Sequence, residues 1–110
     1  FLVDVSYDAA GTCRFFYRLI GTRITYWSGG DATGRYMDDP VCGEGAARLI
    51  DLHETVVRTG RPVLTAGEPA LFEGSAMRFD RLLLPLNGTG ERVDMILGVA
   101  DGQPAGPHRG

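Results

Sequence analysis

The chain has 110 residues, a net charge of −3 and 44% hydrophobic residues, a profile typical of one globular domain. All 11 basic residues are arginines, which excludes enzymes that depend on a lysine, such as Schiff-base, pyridoxal-phosphate and phosphate-loop enzymes. The acidic balance without a basic cluster argues against a nucleic-acid partner. No apolar run approaches the ~20 residues of a membrane helix.

The first residues predict a β-hairpin. A β-branched run at 1–5 and an alternating run at 13–20 flank a polar stretch in which Asp8 and Gly11 favour a turn. Strand alternation places three side chains of the second run on one face: Phe15, Tyr17 and Leu19.

Helices are expected next. Gly21 ends the strand, and Thr22 is a suitable N-cap for a short helix. The clearest helix runs from about Glu44 to Thr59, because apolar positions recur there at intervals of three and four residues and give one buried stripe. Gly60 as the C-terminal cap and Pro62 beyond it predict its end.

The rest of the chain predicts strands again. A short strand is expected at 63–66, a long one at 77–86 and a last one at 93–100, with a hairpin turn at Asn87-Gly88. Pro85 favours an edge, a bulge or the end of strand pairing. Because strands and helices are segregated, the order predicts an α+β fold with an antiparallel sheet and helices on one face.

Five ordered segments span most of the chain: FFYRLIGTRI at 15–24, GDATGR at 30–35, TGRPV at 59–63, RLLLPL at 81–86 and ILGV at 96–99. Together they resemble a subfamily of bacterial PAS domains known mainly from alphaproteobacteria. The resemblance implies a PAS domain over 1–101, with a flexible tail at 102–110. Its fold would be a five-stranded antiparallel sheet with short helices and one longer helix packed on one face.

The resemblance also implies a sensory or regulatory module that binds a small ligand between sheet and helices and relays signals through protein contacts. The candidate pocket residues are mostly apolar or aromatic: Phe15, Tyr17, Leu19, Tyr26, Trp27, Tyr36, Leu49, His53, Val57, Phe79 and Ile96. Arg23 and Arg35 are candidate contacts for an anionic ligand. A packed core and solvated arginines are the alternative interpretation of the same residues.

Cofactors are left open by the sequence. His53 lies where haem-binding PAS domains place an axial histidine, but a lone histidine without spaced partners favours a hydrogen-bonded core residue over a haem or metal ligand. Cys13 opens a predicted strand, whereas the reactive cysteine of flavin-binding light sensors lies on a helix, so flavin is disfavoured as well. Cys42 is interpreted as an apolar filler, with an activated thiolate as the alternative.

Two other functions remain open. The first is a ligand-free interaction module that dimerises through a sheet face or a flanking helix. The second is a small α+β enzyme, ranked lowest, in which His53 and Asp80 form an acid–base pair facing one cavity. With two cysteines there is no disulfide framework, so we expect a cytoplasmic protein. The PAS resemblance implies a homodimer, and charge and run length favour neither nucleic-acid nor membrane partners.

Overall fold

The computed structural model describes residues 1–21, 32–42, 45–72, 75–87 and 92–104. Within these ranges the chain has an α+β fold, in which a five-stranded antiparallel sheet carries one α-helix. The elements in chain order are β1 (Leu2–Tyr7), β2 (Cys13–Leu19), a 3-10 helix (Pro40–Cys42), α1 (Ala46–Thr59), β3 (Val63–Phe72), β4 (Ser75–Leu86) and β5 (Met95–Pro104). The short helix predicted after Thr22 and the Gly88 turn position lie outside the described residues.

The predicted hairpin between β1 and β2 is confirmed. The Asp8 carboxylate accepts the backbone N–H groups of Ala10 and Thr12, each at 2.9 Å, and Gly11 adopts a positive φ of 85°. The register shifts between Leu2 and Val3, so regular alternation is interrupted before the end of β2.

Helix α1 begins at Ala46, and its end at Thr59 is the predicted one. Gly60 is left-handed, with φ 66°, and its N–H donates to the Val56 carbonyl at 2.8 Å. The apolar stripe packs on the sheet and also includes Leu52, which the periodicity did not assign to it.

The strand order in the sheet is β2-β1-β5-β4-β3. Pro85 pairs with Ile96 of β5 and lies beyond the last pair with β3, which joins Val63 and Leu83. The end of pairing is therefore the reason that a proline is tolerated in this central strand. The three later strands extend beyond their predicted bounds, since β3 continues to Phe72 across a bulge, β4 begins at Ser75 and β5 continues to Pro104.

We call the side of the sheet that α1 covers the helix face and the opposite side the outer face. The buried side chains of the helix face are Val3, Val5, Phe15, Tyr17, Met77, Phe79, Leu83 and Ile96. Strand alternation gives the outer face Leu2, Asp4, Phe16, Arg78, Asp80, Leu82, Leu84, Leu97 and Val99.

Candidate functional site

His53 lies on the sheet-facing side of α1 and is 0% exposed. The centroid of its ring is 5.3 Å from the Phe15 ring and 5.9 Å from the Phe1 ring. Its Nδ1 atom is 2.7 Å from the Leu49 carbonyl oxygen. Because a carbonyl only accepts hydrogen bonds, we assign the ring proton to Nδ1.

That assignment leaves the other ring nitrogen of His53 as a hydrogen-bond acceptor. Nε2 is buried, and no donor reaches it from the part of the chain that the structure describes. Burial lowers the pKa of His53 to about 4; the hydrogen bond to Leu49 opposes this shift, and the charge of Arg81 adds to it. The imidazole is therefore neutral at pH 7, with an unused lone pair in the core.

Arg81 is a charged residue on the helix face. It stands on β4, opposite Thr65 of β3 and Ala100 of β5, and is partly buried. Its guanidinium carbon is 5.2 Å from the centroid of the Phe79 ring. Burial lowers the pKa of Arg81, while the charge of Glu68 raises it.

The acid that influences Arg81 is already bound to another arginine. Arg48, near the start of α1, donates from Nε to Oε1 of Glu68 at 2.8 Å, and this bond lowers the pKa of Glu68. Within the described ranges, no carboxylate forms an ion pair with Arg81. Its guanidinium thus stays on the helix face with hydrogen-bond donors to spare.

Thr65 contributes a third polar group to this side of the sheet. Its Oγ1 is buried and, like Nε2 of His53, has no hydrogen-bond partner in the described residues. Because Thr65 and Arg81 are register partners on adjacent strands, the hydroxyl and the guanidinium lie on neighbouring positions of the same face.

Two phenylalanine rings lie beside this polar group, above the small residues of β5. A Cβ atom at Gly98 would clash with the Phe1 ring, and one at Gly102 would clash with the Phe79 ring. Ala100, the partner of Arg81, stands between these two glycines. The polar atoms of Arg81, Thr65 and His53 therefore belong to an otherwise apolar and aromatic surface, which we call the inner polar site.

The structure brings together most of the described pocket candidates. Those that form or contact the core are Phe15, Tyr17, Leu49, His53, Val57 and Ile96. Phe79 lies on the same face next to Arg81. Arg23, Tyr26 and Trp27 lie outside the described residues.

Three candidates lie elsewhere. Leu19 is 61% exposed, because the register shift near Leu2 ends the alternation that would have turned it inward. Tyr36 packs edge-on against Phe16 of the outer face, with ring centroids 5.3 Å apart. Arg35 is exposed and pairs with Asp39 at 3.4 Å, so the predicted anion contact does not form part of the helix face.

The proposed acid–base pair does not form. Asp80 is exposed on the outer face, where its Oδ1 accepts the Gly67 N–H at 2.9 Å, whereas His53 lies on the other side of the sheet. Burial is the largest cause that raises the pKa of both Cys13 and Cys42, so neither thiol is activated.

Sequence reasoning missed Arg81 and Thr65. A signal was present, since Met77, Phe79 and Leu83 alternate with Arg81 on one face. It was obscured because Leu82 and Leu84 make the opposite face of β4 equally apolar.

The described residues contain no group of three or more His, Cys, Asp or Glu side chains that could hold a metal ion. No helix in these ranges is long and apolar enough to cross a membrane. Comparison with protein-family models, with curated proteins and with solved structures finds no match to this chain.

Proposed function

We propose that this chain is a sensory or regulatory module of the PAS type, which binds a small ligand between the sheet and α1 and relays its occupancy through protein contacts. The observation that carries the proposal is His53, which is fully buried among aromatic rings and whose Nε2 has no partner in the described ranges. The order of elements, with two strands before the helix and three after it, supports the resemblance on which the PAS assignment rests.

An unpaired buried acceptor costs about 1–3 kcal/mol relative to one that is hydrogen-bonded. The inner polar site has two such atoms, Nε2 of His53 and Oγ1 of Thr65. A ligand that donates to either atom would recover this cost on binding. Ligand binding would also change the environment of α1, because His53 is a residue of that helix.

The test is a thermal-shift and native mass-spectrometry screen of a metabolite panel with the wild-type chain and with His53→Leu. We expect at least one compound to raise the melting temperature of the wild type and to lose most of this effect in the variant. A visible spectrum of the purified protein checks bound haem or flavin at the same time. A panel without effect on the wild type, together with a colourless protein free of bound mass, would overturn the proposal.

A second candidate function is supported by the outer face, where apolar side chains are exposed. Leu97 is 39% exposed and Val99 is 54% exposed, and they pair with Leu84 and Leu82 on β4. Leu64 of β3 continues this apolar surface and is 72% exposed. A contiguous surface of this kind is typical of a protein contact.

We propose a second copy of this chain as the occupant of that face. Five strands spaced about 4.8 Å apart, with apolar side chains along roughly 20 Å of their length, give about 500 Å² per partner. Two copies packed face to face would bury about 1,000 Å², the lower limit for a specific interface. Sedimentation of the wild type and of Leu97→Asp tests this: we expect a concentration-dependent dimer only in the wild type, and a wild type that stays monomeric at millimolar concentration would contradict it.

A further inference from the structure

We propose that the ligand of the inner polar site is a small carboxylic acid in its ionised form, and that its carboxylate binds the Arg81 guanidinium. This inference rests on the proposed function, because it names the chemical class of the ligand for that same site. It comes from the burial of Arg81, which exceeds that of every other arginine in the described residues.

Four exposed arginines of this chain are paired with acids, whereas four other exposed arginines have no such partner in the described residues: Arg58, Arg61, Arg78 and Arg92. The carboxylate pairs are Arg14 with Asp38 at 3.1 Å, Arg18 with Asp4 at 3.0 Å, Arg35 with Asp39 at 3.4 Å and Arg48 with Glu68 at 2.8 Å. Each of these arginine side chains is more than half exposed. Arg81 is more buried than they are, yet it has no such partner among the described residues.

Among the described arginines, acid partners are found only at exposed positions and not at the more buried Arg81. A solvated guanidinium gains little from a partner, whereas a desolvated one needs an anion to compensate for its lost hydration. Glu68 lies within electrostatic range of Arg81, but its Oε1 is bound by Arg48. Arg81 is partly buried, and an anionic ligand placed against the helix face would supply the partner that the described residues do not.

The polar groups of the site favour a carboxylate over a phosphate. A guanidinium binds the two oxygens of a carboxylate through parallel hydrogen bonds, and one arginine balances its single charge. The Thr65 hydroxyl, opposite Arg81 on the next strand, offers one further donor. A phosphate carries up to two charges and additional oxygens, and within the described residues this face has no second cation next to Arg81 without an acid partner.

The neutral imidazole adds a requirement of its own. Nε2 of His53 accepts a hydrogen bond, so the ligand that completes the site carries a donor such as a hydroxyl in addition to its carboxylate. The rings of Phe1, Phe15 and Phe79 on this face favour an apolar or aromatic body between the two polar ends.

Three probes of similar shape separate these contributions: 4-hydroxybenzoate, benzoate and benzamide. We expect 4-hydroxybenzoate at 10 mM to raise the melting temperature of the wild-type chain by several degrees, benzoate to raise it less, and benzamide to leave it unchanged. Arg81→Gln is expected to remove the difference between benzoate and benzamide. His53→Leu is expected to remove the difference between 4-hydroxybenzoate and benzoate.

The matched control is Arg78→Gln, which changes the same residue type on the same strand but on the outer face. Its response to all three probes is expected to equal that of the wild type. Should Arg81→Gln fail to fold, Arg81→Lys keeps the charge without the planar fork, and we expect benzoate to bind it at least tenfold more weakly than the wild type.

The outcomes separate this inference from the proposed function. If benzamide stabilises the wild type as well as benzoate does, a ligand site is present but the carboxylate assignment is wrong. If inorganic phosphate stabilises the wild type more than benzoate does, and Arg81→Gln abolishes that effect, the anion is a phosphate and the inference fails. If none of the probes acts on the wild type while neutral compounds of a broader panel do, the carboxylate assignment is overturned and the proposed function stands; if nothing in either set acts, both fail.

Discussion

The two faces of the sheet depart from the usual distribution of polar and apolar groups in opposite directions. On the helix face, polar atoms of His53 and Thr65 are buried without partners among the described residues, and the partly buried Arg81 has no acid of its own there. On the outer face, Leu97 and Val99 are exposed. Native proteins satisfy their buried polar groups and limit their exposed apolar patches. Both departures are therefore best explained by a partner: a small ligand on the helix face and a protein on the outer face.

The largest expected effect contrasts two leucines on paired strands. Leu83 is 0% exposed, so Leu83→Ala should lower the free energy of unfolding by about 3 kcal/mol through the cavity that it leaves. Leu64 is 72% exposed, so Leu64→Ala should change it by less than about 0.5 kcal/mol. Urea denaturation of both variants measures the difference, and similar losses would contradict the assignment of the two faces.

The second effect is the pH dependence that His53 gives to stability. Burial lowers the pKa of His53 from 6.5 to about 4, so the folded chain binds fewer protons than the unfolded chain between these values. The neutral imidazole contributes fully to the free energy of unfolding above pH 6.5, and this contribution is lost as the pH falls through about 4. When the pH falls from 7 to 4.5, the free energy of unfolding of the wild type should decrease by about 2–3 kcal/mol more than that of His53→Leu.

Carboxylates that titrate in the same pH range are common to both chains, so the comparison of wild type and His53→Leu isolates the imidazole. Urea denaturation at the two pH values provides the measurement. An equal decrease in the free energy of unfolding of the two proteins would show that His53 is solvated or paired in its charged form.

The third effect concerns two arginines on β4. Arg81→Met removes a partly buried charge that has no acid partner in the described part of the chain, so it should raise the free energy of unfolding of the ligand-free chain by about 1 kcal/mol. Arg78→Met on the outer face should leave it unchanged within about 0.5 kcal/mol. Thermal and urea denaturation check both values. A loss of stability in Arg81→Met would mean that Arg81 already has a compensating anion.

The smallest effect on stability is expected for Arg48→Ala. This change breaks an exposed pair with Glu68 and should cost at most about 1 kcal/mol. It also frees the Glu68 carboxylate to approach Arg81, so the melting-temperature increase caused by benzoate should shrink. Thermal shift with and without benzoate measures both quantities. An undiminished benzoate effect would show that Glu68 cannot compete for Arg81.

Local features of the fold could be predicted from the sequence because their causes are local. The turn at Asp8 and Gly11, the helix end at Gly60 and the end of pairing at Pro85 each depend on the conformational preferences or hydrogen-bonding groups of a few adjacent residues. The turn, the helix end and the end of pairing all occur at the positions that these residue types predict.

The candidate site was predicted only in part, because its other features depend on long-range pairing. The periodicity of α1 placed His53 on the buried side, and this is confirmed. Leu19 is turned outward by a register shift opposite β1, and Tyr36 is held by a bridge to Phe16. Neither cause is visible in the neighbouring residues. Arg81 could not be assigned to a face, because β4 is apolar on both sides around it.

One measurement tests the contrast between the faces most directly: heteronuclear NMR of the wild-type chain during a titration with 4-hydroxybenzoate. We expect saturable shifts of the Arg81 Nε–H and His53 ring-nitrogen signals, while the methyl signals of Leu97 and Val99 on the outer face stay in place. Shifts of the outer-face methyl signals with unchanged Arg81 and His53 signals would contradict the account.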